Sequence, residues 1–450
     1  MEQLREAANQ ALLRLEAAGF EAWLVGGCVR DRLMGVTPHD YDITTSAKPA
    51  QVMQVFHDHR VLETGLKHGT VTLMCGHEPL EITTYRAESS YSDHRHPDSV
   101  CFTSSLREDL ARRDFSMNAI AMDARGRICD PFGGAKDIEA GIIRCVGVPE
   151  RRFEEDALRI LRALRFASVL GFSIEESTKT AMEACAGNLS YVSPERIFVE
   201  ITKLLCGHHV RPVLMGCISI IGAVLPELLL MEGFDQRNYH HIYDVLEHTA
   251  RVVEKVPPEP RLRLAALFHD AGKPHCFTLD AAGVGHFYGH AEKSREIAAG
   301  VLGRLRCDNA TRGAVDQLIR YHDTPIECTE RSVRRALRRF TPEGFRDLIA
   351  LKRADNLAQS PAYRERQQEC DLLETMAEVI LSQSRCFSLR DLAVKGNDLL
   401  ALGLGPGPQI GKLLEWLLEE VVAERLPNER ETLLSEAKKH ITRIPSPVQD

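Results

Sequence analysis

The stretch LVGGCVRDRLMGVTPHDYDITTS, residues 24–46, places two glycines, an arginine and two closely spaced carboxylates in one short segment. Side chains at i and i+2 of an extended strand point to the same face. We therefore expect Asp40 and Asp42 to lie side by side, with Tyr41 turned away. Adjacent carboxylates repel each other unless a cation lies between them, and a divalent metal ion is the usual one. Taken alone, the pattern is also compatible with a solvated loop that follows a tight turn.

A third carboxylate follows in the strand-like LEITTYR, where Glu81 faces away from its apolar neighbours. Carboxylates, water and phosphate oxygens are the ligands that Mg²⁺ prefers. Such a set could hold two Mg²⁺ ions, one for an attacking hydroxyl and one for a leaving pyrophosphate. Gly26 and Gly27 leave backbone N–H groups free to approach a triphosphate, and a helix is expected to begin near Val29–Arg30. Arg30 is then a natural phosphate ligand.

The bulk composition is that of a globular protein of two to four domains: 450 residues, 44% hydrophobic and 27% charged. No apolar stretch is long enough to span a bilayer, so no membrane contact is expected. The thirteen cysteines are scattered singly, which favours a reducing cytoplasm over a disulfide framework. The net charge of −8 leans away from nucleic acid, yet basic clusters such as ARRDF and SVRRALRRF could form a local RNA-binding groove.

Hydrophobic periodicity divides the chain into two kinds of structure. About 130 residues mix short strand-like runs with helical patterns, and helical periodicity dominates from about Pro149 onward. EEDALRILRALRFASVLGF predicts one strong helix with Asp156 and Arg159 at i and i+3 on the same face. The predicted fold class is a small α/β head followed by an all-α body.

The ordered motifs of the first 207 residues resemble the bacterial class II tRNA nucleotidyltransferases, the CCA-adding enzymes. The resemblance rests on LVGGCVRDRLMG, HDYDI, GLKHGTVTL, LEITTYR, DLARRDFSMNAIA, DPFGG and RRFEEDALRILRALRF. It implies a head of the polymerase-β type, with Asp40, Asp42 and Glu81 as the catalytic carboxylates and Asp40 and Asp42 as the Mg²⁺ ligands.

The resemblance also implies a nucleotide-binding set beyond Gly26, Gly27 and Arg30. Arg113 would contact nucleotide phosphate and Asp114 the sugar, while Asn118 supports the turn. Asp156 and Arg159 would hydrogen-bond the base edge of the incoming C or A, and Arg162 extends this face by one turn. Without the head, an ordinary ion pair beside a core stripe would be the preferred interpretation of the same helix.

The polar segment between Glu81 and Arg112, RAESSYSDHRHPDSVCFTSSLRED, resembles the flexible loop of family members that add the terminal A. This favours full CCA addition, and leaves A-only or CC-only addition as alternatives. A surface loop without a role is the simpler interpretation of the segment.

A second set of residues, histidines and aspartates, follows in the helical body in the order H…HD…D, with further histidines between the HD pair and the last aspartate. It resembles the HD domain of metal-dependent phosphohydrolases. The implied metal ligands are His248, His269, Asp270 and Asp355, with His290 and His322 extending the site to a second metal or to phosphate. Imidazole and carboxylate together suit a transition metal. Core histidines in a domain that has lost its metal are the alternative.

These expectations define four domains: residues 1–140 as the nucleotidyltransferase head, 141–235 as a helical neck with the nucleotide-templating helix and an RNA-binding segment, 236–362 as the HD domain and 363–450 as a helical tRNA-binding tail. The expected activity is addition or repair of the tRNA 3′-terminal CCA from CTP and ATP without a nucleic-acid template. Two rivals remain at this stage. One is an HD-type phosphohydrolase or phosphodiesterase that acts on RNA ends or nucleotides, and the other is a non-catalytic RNA-binding protein.

Overall fold

The computed structural model describes residues 2–76, 78–88, 100–363, 366–383, 386, 389–423 and 425–443. They form two compact units. One runs up to Leu229 and includes Arg304–Arg306, and the other contains Leu230–Gly303 and the residues from Cys307 onward. No described helix is both long enough and apolar enough to cross a bilayer.

The first unit begins with alternating helices and strands: α1 (Glu2–Ala17), β1 (Ala22–Val25), α2 (Gly27–Leu33), β2 (Asp42–Thr45), α3 (Pro49–Val55), β3 (Val61–Gly65), β4 (Thr70–Cys75), β5 (Glu78–Thr84), β6 (Arg86–Glu88), β7 (Val100–Phe102), α4 (Leu106–Ala111), β8 (Ala121–Met122), β9 (Ile128–Cys129), α5 (Gly134–Ala140) and β10 (Ile142–Ile143). The rest of this unit is mainly helical: α6 (Pro149–Glu155), α7 (Leu158–Leu170), β11 (Ser173–Ile174), α8 (Glu176–Cys185), α9 (Pro194–Leu205), α10 (Val210–Gly216) and α11 (Ile218–Gly222). Short 3₁₀ turns cover Leu66–His68, Ser116–Asn118, Ala186–Tyr191 and Pro226–Met231.

Within these described ranges, seven strands form one sheet in the order β3-β4-β5-β2-β1-β8-β9. β2 lies near its centre, parallel to β5 and antiparallel to β1. Leu24, Ile43 and Ile82 are in register on the three strands and are fully buried. The helices α1 and α3 pack on this sheet. The alternation along β2 therefore buries Ile43 and leaves Asp42 for the opposite face.

The second unit is mainly helical: α12 (Val245–Lys255), α13 (Pro260–Phe268), α14 (Lys273–Cys276), β12 (Thr278–Leu279), β13 (Gly285–His286), α15 (His290–Arg304), α16 (Asn309–Tyr321), α17 (Glu330–Leu357), α18 (Arg366–Gln383), α19 (Gly396–Ala401), α20 (Pro408–Val422) and α21 (Arg430–Arg443), with a 3₁₀ turn at Pro361–Tyr363. α17 is kinked at Thr341, whose φ of 65° breaks the helix before Pro342.

The fold class is confirmed: a mixed head precedes a helical body with an HD-like region. One detail differs, since β12 and β13 form a small hairpin inside the helical part. The Asp280 side chain accepts the backbone N–H groups of Ala282 and Val284, and this closes the turn. The central part of the predicted flexible loop, residues 89–99, lies outside the described residues, while its ends pair as β6 and β7.

Candidate active site

The three predicted carboxylates converge because of strand register. The parallel pairing of β2 with β5 sets Asp42 directly opposite Glu81, and Asp40 lies two residues before Asp42 at the entrance to β2. Directly opposed residues on neighbouring strands point to the same face. All three residues are exposed to solvent, whereas Tyr41 is buried, as the alternation predicts.

The negative charges of Asp40 and Glu81 disfavour the ionisation of Asp42. Partial desolvation and the charge of Asp40 raise the pKa of Asp42 to about 6, with a further contribution from Glu81 that Arg113 opposes. Asp42 is costly to ionise because it is partly desolvated and two other carboxylates lie beside it. The three carboxylates together form a set of hard oxygen donors without a matching positive charge. The residues present therefore fit a divalent cation such as Mg²⁺.

Gly26 leaves room for the Arg113 guanidinium, which supplies a positive charge on this face of the sheet. Its φ is +75°, and a Cβ at this position would lie 3.2 Å from Arg113 Nη1 and 3.9 Å from Asp42 Oδ2. A side chain here would crowd Arg113, touch Asp42 and adopt a strained backbone. α2 begins at Gly27, directly after this turn, so the expected start near Val29–Arg30 is two residues late.

Asp109 is a buried carboxylate that the sequence analysis missed. It accepts hydrogen bonds from Thr44 on β2 and from Arg112, and it lies 3.5 Å from Arg113. Although burial opposes ionisation, Arg112 and Arg113 hold the pKa of Asp109 below its usual value. The i, i+4 spacing of Asp109 and Arg113 in EDLARRDF was the available signal. Asp109 thus ties Arg113 to the strand that carries Asp42.

A chain of hydrogen bonds joins the other predicted nucleotide-binding residues. Arg30 donates to Asn118 at 2.9 Å, and Asn118 donates to Asp114 at 3.1 Å. Arg162 donates two hydrogen bonds to the other oxygen of Asp114, at 2.6 and 2.8 Å. Burial opposes this ionisation, but Arg162 and Asn118 lower the pKa of Asp114 to about 2. The network fixes α2, the Ser116–Asn118 turn and α7 relative to one another.

The prediction that Asp156 and Arg159 share one helical face is wrong. Asp156 has extended backbone angles and ends α6, and α7 begins at Leu158. The Asp156 side chain accepts the Leu158 N–H at 3.1 Å, which competes with a continuous helix. Arg159 turns inward, where it donates to Glu155 at 2.7 Å and to the carbonyl oxygen of Arg112.

The histidines and aspartates of the second unit meet in one buried cluster, the HD cluster, formed by His248, His269, Asp270, His290, His322 and Asp355. Asp270 is shared between two groups. Its Oδ2 lies 3.3 Å from Nε2 of both His248 and His269, and its Oδ1 lies 3.5 Å from His290 Nε2 and 3.8 Å from His322 Nε2. Asp355 Oδ1 joins the first group at 3.0 Å from His248 Nε2.

Backbone carbonyls fix the protonation of the ring nitrogens. Nδ1 of His269, His290 and His322 lies 2.7–2.9 Å from a carbonyl oxygen, so each Nδ1 carries the hydrogen. The Nε2 atoms of all three rings therefore face the centre, and those of His290 and His322 are only 3.3 Å apart. Although burial opposes it, the carboxylates of Asp270 and Asp355 raise the pKa of His269, so that without a metal they favour a proton on this ring. Burial and the neighbouring His269 lower the pKa of His322 to about 3, so the His322 ring is neutral at neutral pH.

These features fit a metal ion. His248 Nε2 and His269 Nε2 are buried and lie 3.0–3.3 Å from carboxylate oxygens, but within the described chain neither makes a well-aligned hydrogen bond. Lys273, also missed from the sequence, lies 2.7 Å from Asp270 Oδ2 and donates to Gln236. Apart from the imidazoles, Lys273 supplies a positive charge to Asp270, and it reaches a single oxygen.

Family comparisons cover most of the chain. Residues 22–144 match the poly A polymerase head domain, residues 171–219 the probable RNA and SrmB-binding site of polymerase A, and residues 290–437 the putative tRNA nucleotidyltransferase domain 2. The CCA-adding enzyme of Lactiplantibacillus plantarum is 34% identical over 442 residues, which is 96% of each chain. The chain belongs to the CCA-adding enzymes.

Two further relatives support this membership. The CCA-adding enzyme of Latilactobacillus sakei is 36% identical over 95% of this chain and 96% of its own. The crystal structure of the Bacillus stearothermophilus CCA-adding enzyme in complex with CTP covers 98% of both chains with a TM-score of 0.67 and 28% identity. The predicted family and its polymerase-β-type head are confirmed, and this head implies a divalent metal. The division into four domains and the individual residue roles stay predictions.

We predict that Asp42→Asn stabilises the metal-free protein. A carboxyl whose pKa is raised from 3.8 to about 6 by folding contributes stability at low pH, and this contribution is lost as the pH rises through 6. Because Asp42 is exposed to solvent, we discount the effect to about 1 kcal/mol, or about 2–4 °C in a domain of this size. Thermal unfolding in EDTA at pH 7.5 should show this rise, and it should vanish near pH 4.

Glu183→Gln on α8 is the control, since Glu183 is exposed and has no hydrogen bond or ion pair among the described residues. It should leave the unfolding temperature unchanged at both pH values. A lower unfolding temperature for Asp42→Asn at pH 7.5 would show that the carboxylates do not repel one another in the fold.

Proposed function

We propose that this chain completes the 3′ end of tRNA by adding CCA from CTP and ATP without a nucleic-acid template. The observation that carries this proposal is the register of β2 and β5, which aligns Asp42 with Glu81 beside Asp40. Its near full-length similarity to CCA-adding enzymes supports the same activity. All thirteen cysteines are free thiols, which supports the cytoplasm as its compartment.

In this proposal Asp40, Asp42 and Glu81 hold Mg²⁺. When bound, Mg²⁺ activates the attacking 3′-hydroxyl and stabilises the leaving pyrophosphate. Arg113 is fixed by Asp109 and leaves Nε buried without a hydrogen-bond partner among the described residues. This guanidinium can therefore neutralise a nucleotide phosphate without reorganising the site.

The choice of nucleotide is assigned to the break between α6 and α7. Asp156 offers acceptors and Arg159 a rigid fork of donors, which together can read the edge of C or A. Because Arg159 is bound to Glu155, it reaches a base only after it exchanges that partner. Arg162 remains hydrogen-bonded to Asp114 and orients its carboxylate.

Contact with the tRNA body is proposed for the second unit. Its described residues include a groove of about 500 Å³ between α17 and α20. The groove is lined by Glu330, Arg331, Arg334, Arg335, Arg338, Glu419, Val422, Ala423 and Arg425. Arg331 and Arg335 are exposed and have no ion pair with a described residue. In a chain with a net charge of −8, such a local excess of arginine suits RNA phosphates.

We predict that purified protein extends tRNAs that end before or within the CCA, using labelled CTP and ATP, and does not extend a complete CCA end. Asp40→Ala and Asp42→Ala should reduce incorporation by at least about 10³-fold, because the metal-binding carboxylates are lost. Gel electrophoresis of the products gives their length and separates CCA from A-only or CC-only addition.

The same variants should bind tRNA as the unaltered protein does, measured by filter binding, since the groove lies in the other unit. Full incorporation by either variant would remove the proposed role of the carboxylates. No extension of any tRNA by the unaltered protein would favour the hydrolase or the non-catalytic RNA-binding protein.

We predict that Asp156→Ala changes the choice of nucleotide more than the rate. The ratio of kcat/KM for CTP to that for UTP should fall by about tenfold or more, the value of one charge-assisted hydrogen bond. Unchanged CTP/UTP discrimination would assign the reading of the base to other residues.

A second candidate function is metal-dependent phosphohydrolysis at the HD cluster, and we propose it because four imidazole Nε2 atoms and two carboxylates converge there in one buried place. His248, His269, Asp270 and Asp355 would hold one transition-metal ion, and Asp270 with His290 and His322 a second. A bound ion would act as a Lewis acid on a phosphate ester. Lys273 beside Asp270 can neutralise part of the charge of that ester.

We predict that the protein retains a stoichiometric transition metal, measured by mass spectrometry after dialysis against Ni²⁺ or Mn²⁺. His269→Ala should lose this metal and any hydrolysis of 2′,3′-cyclic phosphates, while CCA addition continues. His275→Ala, which changes an exposed histidine of α14, is the control and should keep the metal. Equal metal content in both variants would leave the cluster as a set of core histidines.

A further inference from the structure

Arg196, near the start of α9, lies against the carboxylate to which we assign the choice of nucleotide. Its Nη2 donates to Asp156 Oδ2 at 2.8 Å, across 40 residues of sequence. The other oxygen, Oδ1, accepts the Leu158 N–H. Both oxygens of Asp156 are thus held by donors from different elements, so the direction of this carboxylate is fixed. Without Arg196, one oxygen would lose its described side-chain partner.

The helix that carries Arg196 is itself held in register with α7. Arg165 of α7 pairs with Glu200 of α9 at 3.3 Å, one turn beyond Arg196. Further along, Ser168 donates to the carbonyl oxygen of Leu204 at 2.6 Å. A Cβ on Gly207 would lie 2.1 Å from Ser168 Oγ, so the two segments touch closely. Arg196 therefore approaches Asp156 from a rigid support.

A second feature distinguishes Arg196 from a plain structural ion pair. Its Nη1 is buried, and no residue of the described chain accepts a hydrogen bond from it. A buried donor without a partner costs stability, of the order of a lost hydrogen bond. Such a donor beside Asp156 is ready for an acceptor that arrives with a ligand, such as an oxygen of the incoming nucleotide.

We infer that Arg196 is a positioning residue for nucleotide selection: it sets the direction in which Asp156 presents its acceptors to the base. This inference rests on the proposed role of Asp156 in reading the base. Arg196 holds the Asp156 carboxylate in the orientation that matches the hydrogen-bonding pattern of one base. Without Arg196, Asp156 can rotate and accept hydrogen bonds from other bases. The effect falls on the discrimination between nucleotides rather than on the transfer step.

The test is the ratio of kcat/KM for CTP to that for UTP in Arg196→Met, Arg196→Lys and the unaltered protein. This ratio does not depend on the folded fraction of a preparation, so a destabilised variant still gives an answer. Arg196→Met should lower the ratio by about tenfold or more, with a smaller loss of kcat for CTP. Arg196→Lys should restore part of it, because a lysine supplies one donor in place of the fork.

Glu200→Gln is the matched control. It weakens the neighbouring ion pair between the same two helices without touching Asp156, so it should lower the unfolding temperature and leave the CTP/UTP ratio within about twofold of the unaltered value. The double variant Asp156→Ala with Arg196→Met should discriminate no worse than Asp156→Ala alone, since residues that act through one another are non-additive.

An unchanged ratio in Arg196→Met, or an equal loss in Glu200→Gln, would overturn the inference. If Asp156→Ala itself keeps full discrimination, the proposed reading role of Asp156 fails instead. If the unaltered protein incorporates no nucleotide, the proposed function fails before either residue is tested. The three failures are therefore distinguishable.

Discussion

The head depends on one constraint, the parallel pairing of β2 with β5. This register buries Ile43 against Ile82 on one face and sets Asp42 against Glu81 on the other. The apolar face holds the register, because a slip of one residue would bring the carboxylates into the core. The repulsion between the carboxylates is thus imposed by hydrophobic burial, and the proposed Mg²⁺ would relieve it. In this proposal, folding and metal binding are coupled through the same two strands.

Next to these two strands, the buried carboxylates of the head are paired with arginines. Asp109 is fully buried and holds Arg112 and Arg113, while Asp114 is held by Arg162 and Asn118. A buried charge without a partner is costly, so each carboxylate is paired with arginine: Asp109 with its near neighbours Arg112 and Arg113, and Asp114 with Arg162 of α7. The arginines are consequently rigid before a nucleotide arrives. Positioned charge of this kind lowers the cost of reorganisation when a triphosphate binds.

Local patterns predicted the residues that alternate along a strand, and failed where a distant contact decides the geometry. The alternation in HDYDI and LEITTYR was sufficient to expect Asp40, Asp42 and Glu81 on one face. The helical periodicity around Asp156 was misleading, because the side chain bonds the Leu158 N–H and Arg196 and so interrupts the helix. For Asp109 the sequence offered only the i, i+4 spacing to Arg113, and nothing indicated its contact with Thr44, which spans 65 residues. Such pairings have no signature in a single sequence.

The two proposed metal sites differ in donor chemistry, and this difference lets one chain hold both. The head offers exposed carboxylates, which suit a hard and well-hydrated ion such as Mg²⁺. The HD cluster offers buried imidazoles whose tautomers are fixed by carbonyls, and these favour a transition metal. Each group therefore discriminates against the preferred ion of the other. Because the sites lie in separate compact units, loss of one metal need not disturb the other chemistry.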